Sequence, residues 1–316
     1  MKSAAPHAPP PKKKRGRKLK RALLVVVVLY AAAWAFTVWL RGGFERLGPP
    51  IPREYTVARQ EGFDYLDGAE PPDDVRKLDL LLPIGRADAP VVAVLHGGAW
   101  SVGSRRDPPP QGLAQWLAER GAIGAPVGYR LVPSVKVEEQ PVDVARAVSW
   151  LYRHVSEFGG DPRRIFLLGH SAGAQLVSLI ACNRRYLDAL SVPGHVPAGV
   201  ITLGGPFDLR EGPKVAHRFV RHMTWKAFGP DQDFRWTMSP QAYVRPGLPP
   251  FLIIRGYGDR IVTELQTTEM AEAIRATGGA VETLTVDGRE HASVFDLAPR
   301  PGDQAGAAIL EFVNQH

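Results

Sequence analysis

The 316-residue chain, 45% of it hydrophobic, is long enough for one large core or two modest ones. Its formal charge of +7 points toward nucleic acid, but nine of the 39 basic residues precede Ala22 with no acid among them, leaving 30 basic against 32 acidic residues in the remainder; the basic balance belongs to a tail, and no nucleic-acid face is required on the body. The single cysteine, Cys182, excludes an intramolecular disulfide and a cysteine-based metal site, and it reads as a small core residue in an apolar helical stretch.

Residues 1–21 form a Pro-rich basic tail. Its "KKKRGRK" invites a nuclear-targeting or DNA-binding reading, which the apolar run directly after it outweighs. Ala22 to Leu40 carries no charge over 19 residues. As a helix rising about 1.5 Å per residue it would be about 28 Å long, close to the hydrocarbon thickness of a bilayer. Trp39 sits near the end, where an interface anchor belongs. A cleaved signal peptide would use Ala33-Trp34-Ala35, yet the apolar run continues past these residues to Leu40. The segment therefore reads as an uncleaved signal anchor, a transmembrane helix held in the lipid bilayer. Eight basic residues from Lys12 to Arg21 precede it, while Arg41 and Arg46, partly offset by Glu45, follow it. That asymmetry puts the N-terminus in the cytoplasm and the body on the extracytoplasmic side of the cell membrane.

Residues 41–75, rich in Gly and Pro, read as a linker and a first irregular segment. The folded body is expected over 76–316. "RKLDLLLPIG" and "PVVAVLHGG" read as strands, the second apolar enough to be buried on both faces, and "GAIGAPVGYRL" is a weaker strand. "PVDVARAVSWLYRHVSEF" reads as a helix with Pro141 in its first turn and an apolar face of Val142, Ala145, Val148, Leu151 and Val155. "RIFLLG" is a buried strand, followed by a helix from Ser171 to Cys182. "PAGVITLGG" and "PPFLIIRG" are further buried strands. "ELQTTEMAEAIRATGG" is a helix closed by glycines, "AVETLTVDG" a strand and "GDQAGAAILEFVNQ" the last helix. The alternation predicts an α/β fold with a mostly parallel central sheet and helices on both faces. A small insertion at about 209–247 interrupts it and carries Phe219, Met223, Trp225, Phe228, Phe234 and Trp236. Its aromatic residues either line an apolar substrate pocket or simply pack the insertion onto the sheet. Trp225 and Phe228, with Trp100 after the glycines of "HGGAW", are the candidates for a pocket.

Gly169-His170-Ser171-Ala172-Gly173 fits a G-x-S-x-G elbow, and it has the required strand before it and helix after it. Such a turn lifts the serine Oγ out of the sheet and aims the Ala172 N–H, at a helix N-terminus, into the same space. The serine needs a base, and the base needs an orienting acid. With the chain order Ser, acid, His of such sites, the histidines after Ser171 are His195, His217, His222, His291 and His316. His291 follows the last strand; His217 and His222 belong to the insertion, and His316 is terminal. Asp259 follows "FLIIRGYG" at the end of a buried strand. Asp287, Glu290 and Asp208 are the alternative acids. Gly97 and Gly98 offer bare backbone N–H groups to an oxyanion.

"HGGAWSVGSR", "FGGDPRRIFLLGHSAGAQL", "GYGDRIV" and "GREHASVF" together resemble an α/β-hydrolase fold carboxylesterase. The resemblance is to the group holding BD-FAE-type esterases, kynurenine formamidases and isoprenylcysteine methylesterases. It implies Ser171 as nucleophile, Asp259 as acid, His291 as base, and Gly97, Gly98 and Ala172 as oxyanion donors. It also implies a small-molecule ester substrate and neither metal nor organic cofactor. A formamide substrate and a non-catalytic binding module on the same fold are the alternatives. The chain departs from the group at Arg255-Gly256, where His-Gly is frequent, at Val262-Thr263, where Val-Pro is frequent, and at Gly128-Tyr129-Arg130, where many members have Asp-Tyr-Arg. None of these changes removes a catalytic group.

Overall fold

The computed structural model describes residues 54–66, 68, 74–210 and 218–316. The basic tail, the apolar segment 22–40 and the first part of the linker lie outside the described residues. Among the described residues no helix is long and apolar enough to cross a membrane.

Among the described residues eight strands form one sheet: β1 (Val57–Asp64), β2 (Lys77–Pro83), β3 (Ala89–Leu95), β4 (Ile123–Val127), β5 (Gly160–His170), β6 (Gly199–Leu203), β7 (Phe251–Gly256) and β8 (Val281–Val286). Their spatial order is β1-β2-β4-β3-β5-β6-β7-β8. The pairs β1/β2 and β2/β4 are antiparallel; from β4 to β8 all neighbours are parallel. The long helices are α1 (Pro108–Ala118), α2 (Gln140–His154), α3 (Ala172–Cys182), α5 (Arg218–Phe228), α7 (Glu264–Ala276) and α9 (Gln304–Gln315). Shorter ones are α4 (Arg185–Asp188), α6 (Gln232–Thr237) and α8 (Ser293–Asp296).

Side chains alternate across a strand, and here that alternation builds two cores. Val91, Ala93 and Leu95 of β3 pack with Val144, Val148, Leu151, Leu176 and Ile274 on the face of α2, α3 and α7. Val92 and Val94 of the same strand pack with Leu113, Leu117, Val294, Ile309 and Phe312 on the face of α1, α8 and α9. Burial on both faces is why the central strands read as unbroken apolar runs. Cys182 is buried in the first core, where burial pushes its thiol up to about 12, so it stays a protonated packing group.

Two sequence expectations change, and one helix is added. The stretch read as linker and irregular segment contains β1, a half-buried edge strand whose "VARQEGFD" offers no apolar periodicity. Val142 lies off the buried face of α2, 37% exposed, and Val144 takes its place. Helix α1 was not expected from "PPPQGLAQWLA"; its prolines fall at the first positions, where a helix loses no hydrogen bond to them. Within the insertion, α5, α6 and a short 3₁₀ turn at Pro240–Tyr243 follow residues 211–217, which lie outside the described residues and include His217.

Candidate active site

The strand register collects the motifs at one edge of the sheet. Leu95 pairs with Gly169, His170 with Leu203, and Gly256 with Val286. "HGG", "GHS", "GYGD" and "GREH" therefore all leave the carboxyl ends of parallel strands, where a crevice for ligands forms.

Ser171 stands between β5 and α3 with φ +52° and ψ −116°, a backbone state that costs a non-glycine residue about 1–3 kcal/mol and persists only where its surroundings enforce it. Its N–H donates to the Leu203 carbonyl at 3.0 Å. The flanking glycines are required by contact. A Cβ on Gly173 would lie 2.5 Å from the His96 carbonyl oxygen and 2.7 Å from that of Leu95, and one on Gly169 would collide with the Gly173 carbonyl.

Ser171 Oγ lies 2.9 Å from His291 Nε2, and His291 Nδ1 lies 2.8 Å from Asp259 Oδ2. The other carboxylate oxygen of Asp259 accepts the N–H groups of Ile261 at 2.8 Å and Val262 at 2.9 Å. Burial pushes this carboxyl upward, but the His291 hydrogen bond and charge and the two backbone donors outweigh it and hold the group below the usual carboxylate range. An ionised Asp259 accepts from Nδ1–H, which leaves the Nε2 lone pair facing the serine hydroxyl. The two loops are tied together: the Gly258 N–H donates to the Arg289 carbonyl at 2.9 Å. The Arg289 guanidinium in turn grips the buried Asp303 carboxylate at 2.7 Å, which also caps α9.

The alternative acids are placed elsewhere. Asp208 is engaged by Arg210 at 2.8 Å, and Asp287 and Glu290 are exposed. His195 and His222 are also exposed, and His316 rests edge-on against Phe312.

His96 was legible only as part of its motif; its contacts give it a definite role. Its Nδ1 lies 2.7 Å from the Gly97 carbonyl oxygen, so Nδ1 carries the proton and donates it there. Burial pushes the imidazole below its ordinary value, with the Gly97 bond and Asp107 opposing, which keeps it neutral. In a planar trans peptide the C=O and N–H point in opposite directions. Pinning the Gly97 carbonyl thus turns the Gly98 N–H away from His96, and Gly98 lines the cavity that holds Ser171. Gly98 itself has φ +118°, and a Cβ there would strike the Val102 carbonyl. Ala172, the first residue of α3, presents an N–H that has no carbonyl within its helix.

His170 is a second neutral histidine. Burial of the imidazole, with the neighbouring His291 charge, drives it down to about 3. Its Nε2–H donates to the His291 carbonyl at 2.8 Å, and its ring stacks on Phe295 with centroids 5.0 Å apart. It therefore braces the backbone of the residue that faces the serine.

The cavity over Ser171 measures about 260 Å³. Its walls include Trp100, Val102, Pro206, Met223, Ile261 and Val262. Of the three pocket candidates, only Trp100 faces it. Trp225 is 52% exposed and points to solvent. Phe228 is buried behind Trp100, edge-on to it at 4.8 Å. The amphipathic α5 offers Met223 to the cavity instead.

The BD-FAE family model matches residues 78–274. Esterase LipQ of Mycobacterium tuberculosis is 30% identical over 220 residues, covering 66% of this chain and 51% of that protein. A probable isoprenylcysteine alpha-carbonyl methylesterase of Arabidopsis thaliana, ICMEL1, is 27% identical over 243 residues, covering 72% of this chain and 50% of that protein. The chain spans about half the length of these curated relatives. Among solved structures, esterase B of Lactobacillus rhamnosis superposes with a TM-score of 0.71 at 24% identity, over 93% of this chain and 94% of that one. The likeness establishes the α/β-hydrolase fold.

Proposed function

Because the chain belongs to the BD-FAE family, we propose that it is a serine carboxylesterase that cleaves small carboxylic esters through an acyl-enzyme on Ser171. The reading rests on one observation above all. A serine held at φ +52° hydrogen-bonds an imidazole at 2.9 Å whose other nitrogen is held by a buried carboxylate at 2.8 Å.

In this reading His291 Nε2 takes the Ser171 proton as Oγ bonds the ester carbonyl carbon. The resulting oxyanion is received by the N–H groups of Gly97, Gly98 and Ala172; removing one such donor typically costs about 2.7–4 kcal/mol of transition-state stabilisation. Collapse of the intermediate breaks the ester C–O bond, and the proton on His291 goes to the departing alkoxide. Water then attacks the acyl-serine, giving its proton to His291, and Ser171 recovers a proton as the acid leaves. Asp259 stays ionised throughout and stabilises the transient imidazolium.

A fluorophosphonate probe should label the wild type and fail to label Ser171→Ala, which should keep its fold by circular dichroism. Labelling of Ser171→Ala at the wild-type rate would end the assignment. Turnover of an N-formyl arylamine without turnover of any ester would move the substrate from ester to formamide.

The uncharged run 22–40 and the basic residues before it support a second part of the reading. The enzyme is anchored by one transmembrane helix, with its N-terminus in the cytoplasm and its catalytic domain on the extracytoplasmic face.

A further inference from the structure

We propose that Gln175 is a positioning residue that fixes Trp100 as the end wall of the acyl site, and so sets how long an acyl chain the enzyme accepts. This rests on the esterase reading of Ser171.

Three consecutive residues after the "HG" of the oxyanion loop are left-handed: Gly98 at φ +118°, Ala99 at +47° and Trp100 at +60°. Two of them carry side chains, so the segment is strained and needs restraint from outside itself. Gln175 supplies it. Its side chain is fully buried on α3, one turn after the serine. Its Oε1 accepts the Trp100 indole N–H at 2.9 Å, and its Nε2 donates to the Met238 carbonyl at 2.7 Å. From the opposite side, the buried Gln140 donates to the Trp100 carbonyl at 2.8 Å, and the Val132 N–H donates to the same oxygen at 3.0 Å. Trp100 is thereby held at both backbone and ring, and one amide links the nucleophile helix, the oxyanion loop and the end of the insertion.

The side of the cavity follows from the chemistry. His291 must protonate the leaving group, so the leaving group lies toward the Asp259 loop with Ile261 and Val262. The acyl chain is left with the remaining walls, of which Trp100 is the bulkiest. A cavity of about 260 Å³ falls just below the usual range of ligand pockets, about 300–1,000 Å³, so the position of one indole ring decides whether a longer chain fits.

Gln175→Leu keeps the bulk and leaves the indole N–H without its acceptor, freeing the ring to swing. The test measures rates of labelling by 4-nitrophenyl alkylphosphonates with ethyl to octyl chains, and the thermal midpoint alongside. The octyl-to-ethyl rate ratio should rise about tenfold or more, the lower end of what one methylene is worth in a pocket. Trp100→Phe should raise it too, and the double variant should match Trp100→Phe alone, because the contact is already gone. If Gln175→Leu does not fold, Gln175→Met, unbranched and of similar length, carries the same expectation. A lowered midpoint with an unchanged ratio, or additive effects in the double variant, would overturn the proposal and leave the esterase reading standing. A wild type labelled by none of the probes would overturn both.

Discussion

At Asp259 the carboxylate does two jobs with its two oxygens. One is occupied by the Ile261 and Val262 N–H groups, which fix the side chain, and the other holds the His291 ring. Asp259→Asn would keep the shape but can present an amide N–H to Nδ1 and select the wrong tautomer. We expect kcat to fall about 10⁴-fold with the midpoint of unfolding little changed; near-normal turnover would remove Asp259 from the role. His170 makes a prediction about pH. It is neutral in the folded state down to about 3, against an ordinary value of 6.5, so between those values the unfolded chain binds the extra proton. Its contribution to stability is thus full above pH 6.5 and is lost as pH falls toward 3, by about 2 kcal/mol at pH 5. Asp296, raised to about 6 by burial against the pull of His291, acts in the opposite sense: above pH 3.8 its folded form keeps a proton that the unfolded form releases, so stability falls as pH rises toward 6. The raw curves therefore partly cancel. The signature is the difference between wild type and His170→Gln in denaturant melts, which should shift by about 2 kcal/mol between pH 7 and pH 5 in favour of the variant. A pH-independent difference would show that His170 does not carry this linkage.

Among elements, the insertion separates two readings of its aromatic residues. Phe228 is 3% exposed and backs Trp100, whereas Trp225 is half exposed. Phe228→Ala should destabilise by about 3–5 kcal/mol, while Trp225→Ala should stay within about 0.5 kcal/mol and leave the chain-length profile untouched; equal melting points for the two variants would contradict this packing. The difference was not legible beforehand, because a short amphipathic helix does not say which aromatic meets a neighbour. The same limit hid Gln140 and Gln175: a polar residue in a helix reads as solvated until the element packed against it is known. β1 was hidden for another reason, since an edge strand half open to water carries little apolar pattern. Ser171, Asp259 and His291 were readable because each sits just beyond a strand in a distinct local motif, and a parallel sheet brings strand ends together whatever the rest of the chain does.

For the whole molecule, the mostly parallel sheet with helices on both faces followed from unbroken apolar runs alternating with amphipathic helices, whereas the strand order did not; the relation of the body to a membrane depends on residues 22–40, outside the described residues. A C-terminal alkaline phosphatase fusion, attached at the exposed His316 beyond α9, should be active, and protease added to spheroplasts should digest the body. An inactive fusion with a protected body would reverse the orientation, and a soluble product beginning near Phe36 would replace the anchor by a cleaved signal peptide.

Gly173 rests directly on the carbonyls of Leu95 and His96, so the turn bearing Ser171 and the strand end bearing Gly97 and Gly98 meet like machined parts with no clearance. A substitution that thickens either surface must move both, and with them the distance over which the reaction is run. Variation at the cavity walls that hang from this joint, such as Trp100, Val102, Met223 and the loop of Ile261 and Val262, leaves it undisturbed. In a lineage of such chains the chemistry would descend as one inherited block, while the choice of substrate drifts around it.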